Sequence, residues 1–103
     1  MGKHREQVID FYEDPSTGEP HIYKHDVVEE DVLDVLLKRT ENHTDDFAGL
    51  NGARIAFGQT EAGRYLKVVY KRESAKNRIF VITAYDLTGK PLAAFRKRTK
   101  KRR

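Results

Sequence analysis

The chain contains no cysteine, so it forms neither a disulfide nor a thiolate metal site, and a cysteine nucleophile is excluded. No apolar run approaches the roughly 20 residues that a membrane span needs. The opening Met1-Gly2-Lys3-His4-Arg5 leads into no apolar signal region. These absences set the expectation of a soluble, cytoplasmic protein with no membrane partner. There is no phosphate-cradling Gly-rich loop, no His-Glu-x-x-His and no internal repeat. Ser16 and Ser74 fall in turn-like segments, which gives a serine hydrolase no support. His21 and His25 stand four apart, a spacing that can ligate a metal on a helix. No third ligand lies near them in sequence, so the ordinary reading is a surface or capping histidine. No metal or cofactor is expected.

What is abundant is charge. The 103 residues fit one domain spanning 1–103, and 35% of them are charged against 38% hydrophobic, so any core is compact. Residues 1–50 hold 5 Lys/Arg against 13 Asp/Glu, a balance of −8. Residues 51–103 hold 15 against 3, a balance of +12. Such asymmetry points to an anionic partner for the second half, to an acidic helix lying against a basic sheet, or to both.

Val8–Tyr12 reads as a first strand and Asp14–Gly18 as a turn, since Pro15 fixes φ and Gly18 accepts positive φ. Pro20–His25 reads as a short helical turn. Val28, Val32, Val35 and Leu36 fall on one helical face, which predicts a helix ending near Arg39. Asp26 and Glu29 are the candidate capping pair at its start. Residues 40–53 read as an irregular connection. Strands are expected at Arg54–Gln59, Tyr65–Lys71 and Arg78–Leu87, joined by Thr60–Gly63 and by Glu73–Asn77. Thr88–Pro91 opens a last helix that runs into a basic tail at about 99–103.

Strict alternation assigns Ile79, Val81, Thr83, Tyr85 and Leu87 to one face of the third of these strands, and Phe80, Ile82 and Ala84 to the other. Leu66, Val68 and Tyr70 share a face of the strand before it, with Lys67 and Lys71 opposite. The fold class is therefore α+β: a mainly antiparallel sheet of three to four strands with two main helices.

Metal-independent RNA cleavage needs little sequence machinery. A base removes the 2′-OH proton, an acid protonates the leaving oxygen, and cations stabilise the charged phosphorane. Lys24, His25, Arg64, Lys67, Tyr70, Tyr85 and Arg96 are the candidates. Histidine is the natural acid–base residue near neutral pH, and arginine suits bidentate phosphate contact. Each also has a plain structural reading: Tyr70 and Tyr85 as packing residues, Arg64 as a hairpin flank. Lys67, Lys71, Arg78, Arg96, Lys97, Arg98, Lys100 and Lys101 are the candidate nucleic-acid contacts, or else a solvated face and tail.

Several strings resemble the BrnT family, small toxins of the RelE-like superfamily. They are Lys24-His25-Asp26-Val27 with Glu30-Asp31-Val32, Phe57-Gly58-Gln59-Thr60 with Gly63-Arg64-Tyr65-Leu66 and Val68-Val69-Tyr70, and Arg78-Ile79 with Val81-Ile82-Thr83-Ala84. The likeness covers roughly residues 21–98. It implies a partly wrapped antiparallel sheet and an endoribonuclease of the mRNA interferase type that slows translation. It also implies an antitoxin protein as partner, with DNA reached only through the antitoxin complex or non-specifically. Lys24, His25, Arg64 and Tyr70 match the family's pattern and are the catalytic candidates it implies. The chain departs from that pattern at Tyr85, where the family has Arg, at Pro91 and Phe95, where it has Glu and Tyr, and at Asp26, where it has Gly. The expectation is a diverged BrnT-like toxin acting on RNA. The alternative is a non-catalytic nucleic-acid-binding or protein-interaction module on the same fold.

Overall fold

The computed structural model describes residues 7–101. Its strands are β1 (Val8–Phe11), β2 (Asp45–Ala48), β3 (Arg54–Gln59), β4 (Tyr65–Glu73) and β5 (Arg78–Asp86). They form one five-stranded sheet in the order β1-β5-β4-β3-β2. Its α-helices are α1 (Glu29–Leu36) and α2 (Gly89–Lys101). The α+β class stands, but the sheet has five strands, not three to four. It is also mixed, because β1 pairs parallel to β5 while the other three pairings are antiparallel.

The additional strand is β2, inside the segment that reads as an irregular connection. Asp45-Asp46-Phe47-Ala48 has poor strand propensity. Tertiary partners hold it extended. Its backbone pairs with β3, the Arg54 Nη2 lies 2.8 Å from Asp46 and the Arg98 Nη2 lies 2.6 Å from Asp45.

The hairpin at Thr60–Gly63 forms as its residues dictate. The Thr60 N–H donates to the Arg64 carbonyl, and Gly63 takes φ of +97°, a conformation only glycine adopts readily. The Asp14–Gly18 turn forms as well, with the Asp14 carbonyl accepting from Thr17 and Gly18. Residues His21–His25 make a 3-10 turn that ends at Asp26, in the left-handed region at φ of +61°. Asp26 is thus the end of that turn and not the cap of α1. The Asp31 carboxylate reaches back to the Val28 N–H at 3.2 Å, so the reciprocal contact of a capping box falls on Val28 and Asp31. Lys38 adopts a φ of +52°, and α1 stops at Leu36, short of Arg39.

Strict alternation fails in β5. Val69 pairs with Thr83 and Tyr70 with Val81, which leaves Ile82 as the extra residue of a β-bulge. The inward face therefore slips by one: Ile79 and Val81 are buried before the bulge and Ala84 after it. They join Ile22, Val27, Val32, Val35, Ala56, Leu66, Val68 and Tyr70 in the main core beneath α1. Each buried Val, Ile and Leu among them contributes about 1.5–3 kcal/mol, and the two alanines less. Thr83 and Tyr85 turn to the other side, away from Ile79 and Val81. There a smaller cluster of Phe57, Leu87 and Phe95 seats α2. Among the described residues no helix is long and apolar enough to cross a membrane. Arg102 and Arg103, the last residues of the expected basic tail, lie outside the described residues.

Candidate nucleic-acid interface

Alternation along β4 decides which candidates meet. Leu66, Val68 and Tyr70 point into the main core, so Tyr65 and Lys67 emerge on the opposite face. Lys67 is paired directly with Tyr85 of β5, and its Nζ lies 5.6 Å from the centre of that ring. The 3-10 turn packs along β5, and the His25 ring meets the Tyr85 ring at 5.5 Å, edge to face. His21 follows at 5.3 Å from His25, and Tyr12 at 6.1 Å from His21. Tyr12, His21, His25, Tyr85 and Lys67 thus form a continuous row, with Tyr12 and His25 exposed.

Asp14 organises one end of this row. It holds the Lys24 Nζ at 2.7 Å and the His21 Nδ1 at 3.3 Å, and it accepts from the Ser16 hydroxyl. The Lys24 hydrogen bond, aided by those from His21 and Ser16, holds the Asp14 carboxyl well below its ordinary value, at about 2. Asp14 is therefore an anion wherever RNA chemistry takes place. The Asp14 contact is made by Nδ1 of His21; in the tautomer that donates there, the ring's acceptor nitrogen is Nε2.

Arg64 is engaged by the protein itself. Its Nε donates to Asp86 at 2.7 Å, its Nη2 to the His25 carbonyl at 3.0 Å and its Nη1 to the Asp26 carbonyl. The Asp86 hydrogen bond raises the pKa of the guanidinium further, so the clamp is permanently charged. Arg64 fastens the 3-10 turn to the end of β5 and so positions His25.

Tyr70 does not join His25. It is 1% exposed, and its hydroxyl donates to the Asp46 carboxylate. Burial, reinforced by Asp46, raises its pKa, which keeps the phenol neutral. Tyr70 is a core residue on the far face, and its place beside His25 is taken by Tyr85.

The cations divide in the same way. Arg98 is committed to Asp45. Burial pushes the Asp45 carboxyl up, but the hydrogen bonds from Arg98 and His43 outweigh this and leave it lowered. Arg78 sits at the start of β5, 3.7 Å from Asp10 and at the other end of that strand from Tyr85. Lys67 and Lys71 border a shallow apolar groove of about 340 Å³, which Leu50, Ile55, Val69 and Ile82 also line. Arg96, Lys97 and Lys100 line a wider groove of about 920 Å³ between α2 and the segment Glu41–His43. Lys101 closes α2.

No protein-family model, no curated protein and no solved structure matches this chain. Among the described residues no group of three or more metal-ligating side chains forms around His21 and His25.

Lys24, His25, Lys67 and Tyr85 could be named from the sequence; the fold sets His25, Tyr85 and Lys67 in a row from the 3-10 turn across β5 to β4, with Lys24 held at its end by Asp14. Sequence reasoning missed His21 and Asp14 as partners of the chemistry. The four-residue spacing of His21 and His25 was the available signal, but it reads first as a metal spacing. Only the turn before it shows that a carboxylate orients one of the two rings.

Proposed function

We propose that the chain is a BrnT-like toxin that cleaves RNA without a metal. The observation that carries this reading is the pair of imidazoles 5.3 Å apart, one of them held by Asp14, the carboxylate that also holds Lys24. His21 Nε2 takes the 2′-OH proton as general base. The 2′-oxygen attacks phosphorus, and the P–O5′ bond breaks. Protonated His25 gives its proton to the departing 5′-oxygen, leaving a 2′,3′-cyclic phosphate on one fragment and a 5′-hydroxyl on the other. Lys67 and Lys24 stabilise the charge that builds on the phosphorane oxygens. Tyr85 supplies a ring face on which a base stacks. The resemblance adds an antitoxin that covers this surface, with DNA reached through that complex.

A second reading is a non-catalytic RNA-binding module. It is favoured by the commitment of Arg64 to His25, Asp26 and Asp86, which removes the arginine best placed to hold a phosphate. One experiment separates the two. The pure protein is incubated with a single-stranded RNA in EDTA, and fragment ends are mapped. The toxin reading expects cyclic-phosphate ends, and a loss of about 10²–10⁴-fold in rate for His25→Gln with an unchanged melting temperature. RNA bound but left intact assigns the chain to the binding module.

A further inference from the structure

The wider groove has two chemically different walls. Arg96, Lys97 and Lys100 of α2 form one, all of them exposed. Glu41 and Asn42 belong to the other, and Gln59 lies at its foot. Tyr65 forms part of the floor, with the Arg96 guanidinium 5.7 Å from its ring centre. The edge of Phe95 supports Tyr65 from the core side at 6.1 Å, so the ring is seated on packed protein. The groove's volume of about 920 Å³ is at the upper end of small-ligand sites and open enough for a nucleotide with its phosphates.

We infer that this groove is a nucleotide subsite for single-stranded RNA, in which a base stacks on Tyr65 and Arg96 while its phosphates lie along α2. This rests on the RNA reading of the protein and adds where, and in which orientation, the strand is held. Aromatic rings and guanidinium planes both accept the π-face of any base. The cationic wall accepts phosphate, which the carboxylate of Glu41 repels. The phosphates therefore run on the α2 side, and the edge of the base faces Asn42, Gln59 and Glu41. Amides and a carboxylate offer both donors and acceptors to a base edge, whereas lysines offer only donors. The subsite is continuous with the histidine row. Tyr65 is two residues before Lys67 on the same face of β4, about 7 Å along the strand. One strand of RNA can thus place a base at Tyr65 and the reacting phosphate beside His25 and Tyr85.

The test uses the full chain and a single-stranded RNA oligonucleotide carrying one 2-aminopurine, with a 2′-O-methyl sugar at each step so that no 2′-hydroxyl is available to attack and the strand binds without being cut. The chain has no tryptophan, so the fluorescence of the base is read without interference. Binding should quench it. Tyr65→Leu keeps the apolar body against Phe95 and should abolish the quench and weaken affinity by about 5–150-fold, the range seen for losing one stacked base. Tyr65→Phe should restore both. Lys97→Ala and Lys100→Ala should each lower the salt slope of binding by about one, with the quench retained. If the wild type binds and Tyr65→Leu binds and quenches as strongly, the subsite is overturned and the RNA reading survives. If the wild type binds no nucleic acid at low salt, the RNA reading falls and the subsite with it.

Discussion

Tyr70 and Tyr85 pair into neighbouring strands of one sheet yet lead opposite lives. Tyr70 points into the core cluster on the α1 side, paired with Val81, and Asp46 takes its hydroxyl. Tyr85 lies on the other face between His25 and Lys67, half-buried. Among the described residues the cluster on the α1 side holds eleven buried residues, those of the helix and the turn before it included, and the cluster on the α2 side holds three. The difference teaches how this small chain divides its labour. One face is closed and supplies stability. The other is covered only in part by α2 and keeps its cations and rings at the surface.

The largest expected effect falls on the thinner of the two packed layers. Phe95 is fully buried and meets Phe57, Tyr65 and His43. Phe95→Ala should cost about 3–5 kcal/mol in urea unfolding and should detach α2, seen as helical signal lost before the sheet melts. Leu66→Ala on the closed face should instead lower the midpoint of a single cooperative transition. A loss under about 1 kcal/mol for Phe95→Ala would mean that α2 is not seated by this cluster, and the comparison would break.

Next comes the closed face, tested by adding volume. A Cβ on Gly58 would stand 2.8 Å from the Val35 Cγ1, because α1 crosses β3 at this glycine. Gly58→Ala should destabilise by about 1–3 kcal/mol through overpacking, read from the same urea transition. An unchanged midpoint would show that α1 has room to lift, and that this face is looser than its burial indicates.

Tyr70→Phe should cost about 1 kcal/mol, the value of a buried hydrogen bond whose acceptor keeps its other partner, Arg54. It should leave RNA cleavage as it was, in contrast to His25→Gln. A Tyr70→Phe protein that is stable but inactive would return Tyr70 to the chemistry and undo the division between the faces.

How much of this was legible in the sequence depends on whether a residue's fate is set locally. The Thr60–Gly63 hairpin and the alternation of β4 are local patterns, and both formed; of the expected α1 stripe, Val32, Val35 and Leu36 pack inward, whereas Val28 precedes the helix and is exposed. β2 was not legible, because Asp45 and Asp46 are extended only through Arg98, Arg54 and the β3 backbone. The bulge at Ile82 was not legible either. An unbroken apolar run carries no mark of where its alternation slips, yet that slip is what turns Tyr85 out and Ala84 in. At the candidate site, Lys24, His25 and Lys67 could be named by residue type. The orienting role of Asp14 and the clamp of Arg64 depend on contacts across the fold, 38 and 39 positions apart in the case of Arg64.

The smallest expected effect lies at the open edge and concerns acid. Asp14 has a folded pKa of about 2 against an ordinary 3.8, held there first by Lys24 and then by His21 and Ser16. A lowered carboxylate stabilises the fold above its unfolded value and loses that contribution as pH falls through the folded one. The stabilisation is therefore complete above about pH 4 and fades toward pH 2. Asp14→Asn removes it at every pH. Melting curves of the two proteins should be separated by a constant small gap from pH 6 to 4, and should converge as the pH approaches 2. Asp45 titrates low as well, but it is present in both proteins and cancels in the difference. The same substitution also releases His21 from its orienting carboxylate, so cleavage at neutral pH should fall further than the small change in melting temperature explains. If the curves stay parallel down to pH 2, the Asp14 pairing does not differ between folded and unfolded chain. The open edge would then hold its histidines without the carboxylate on which the proposed acid–base roles depend.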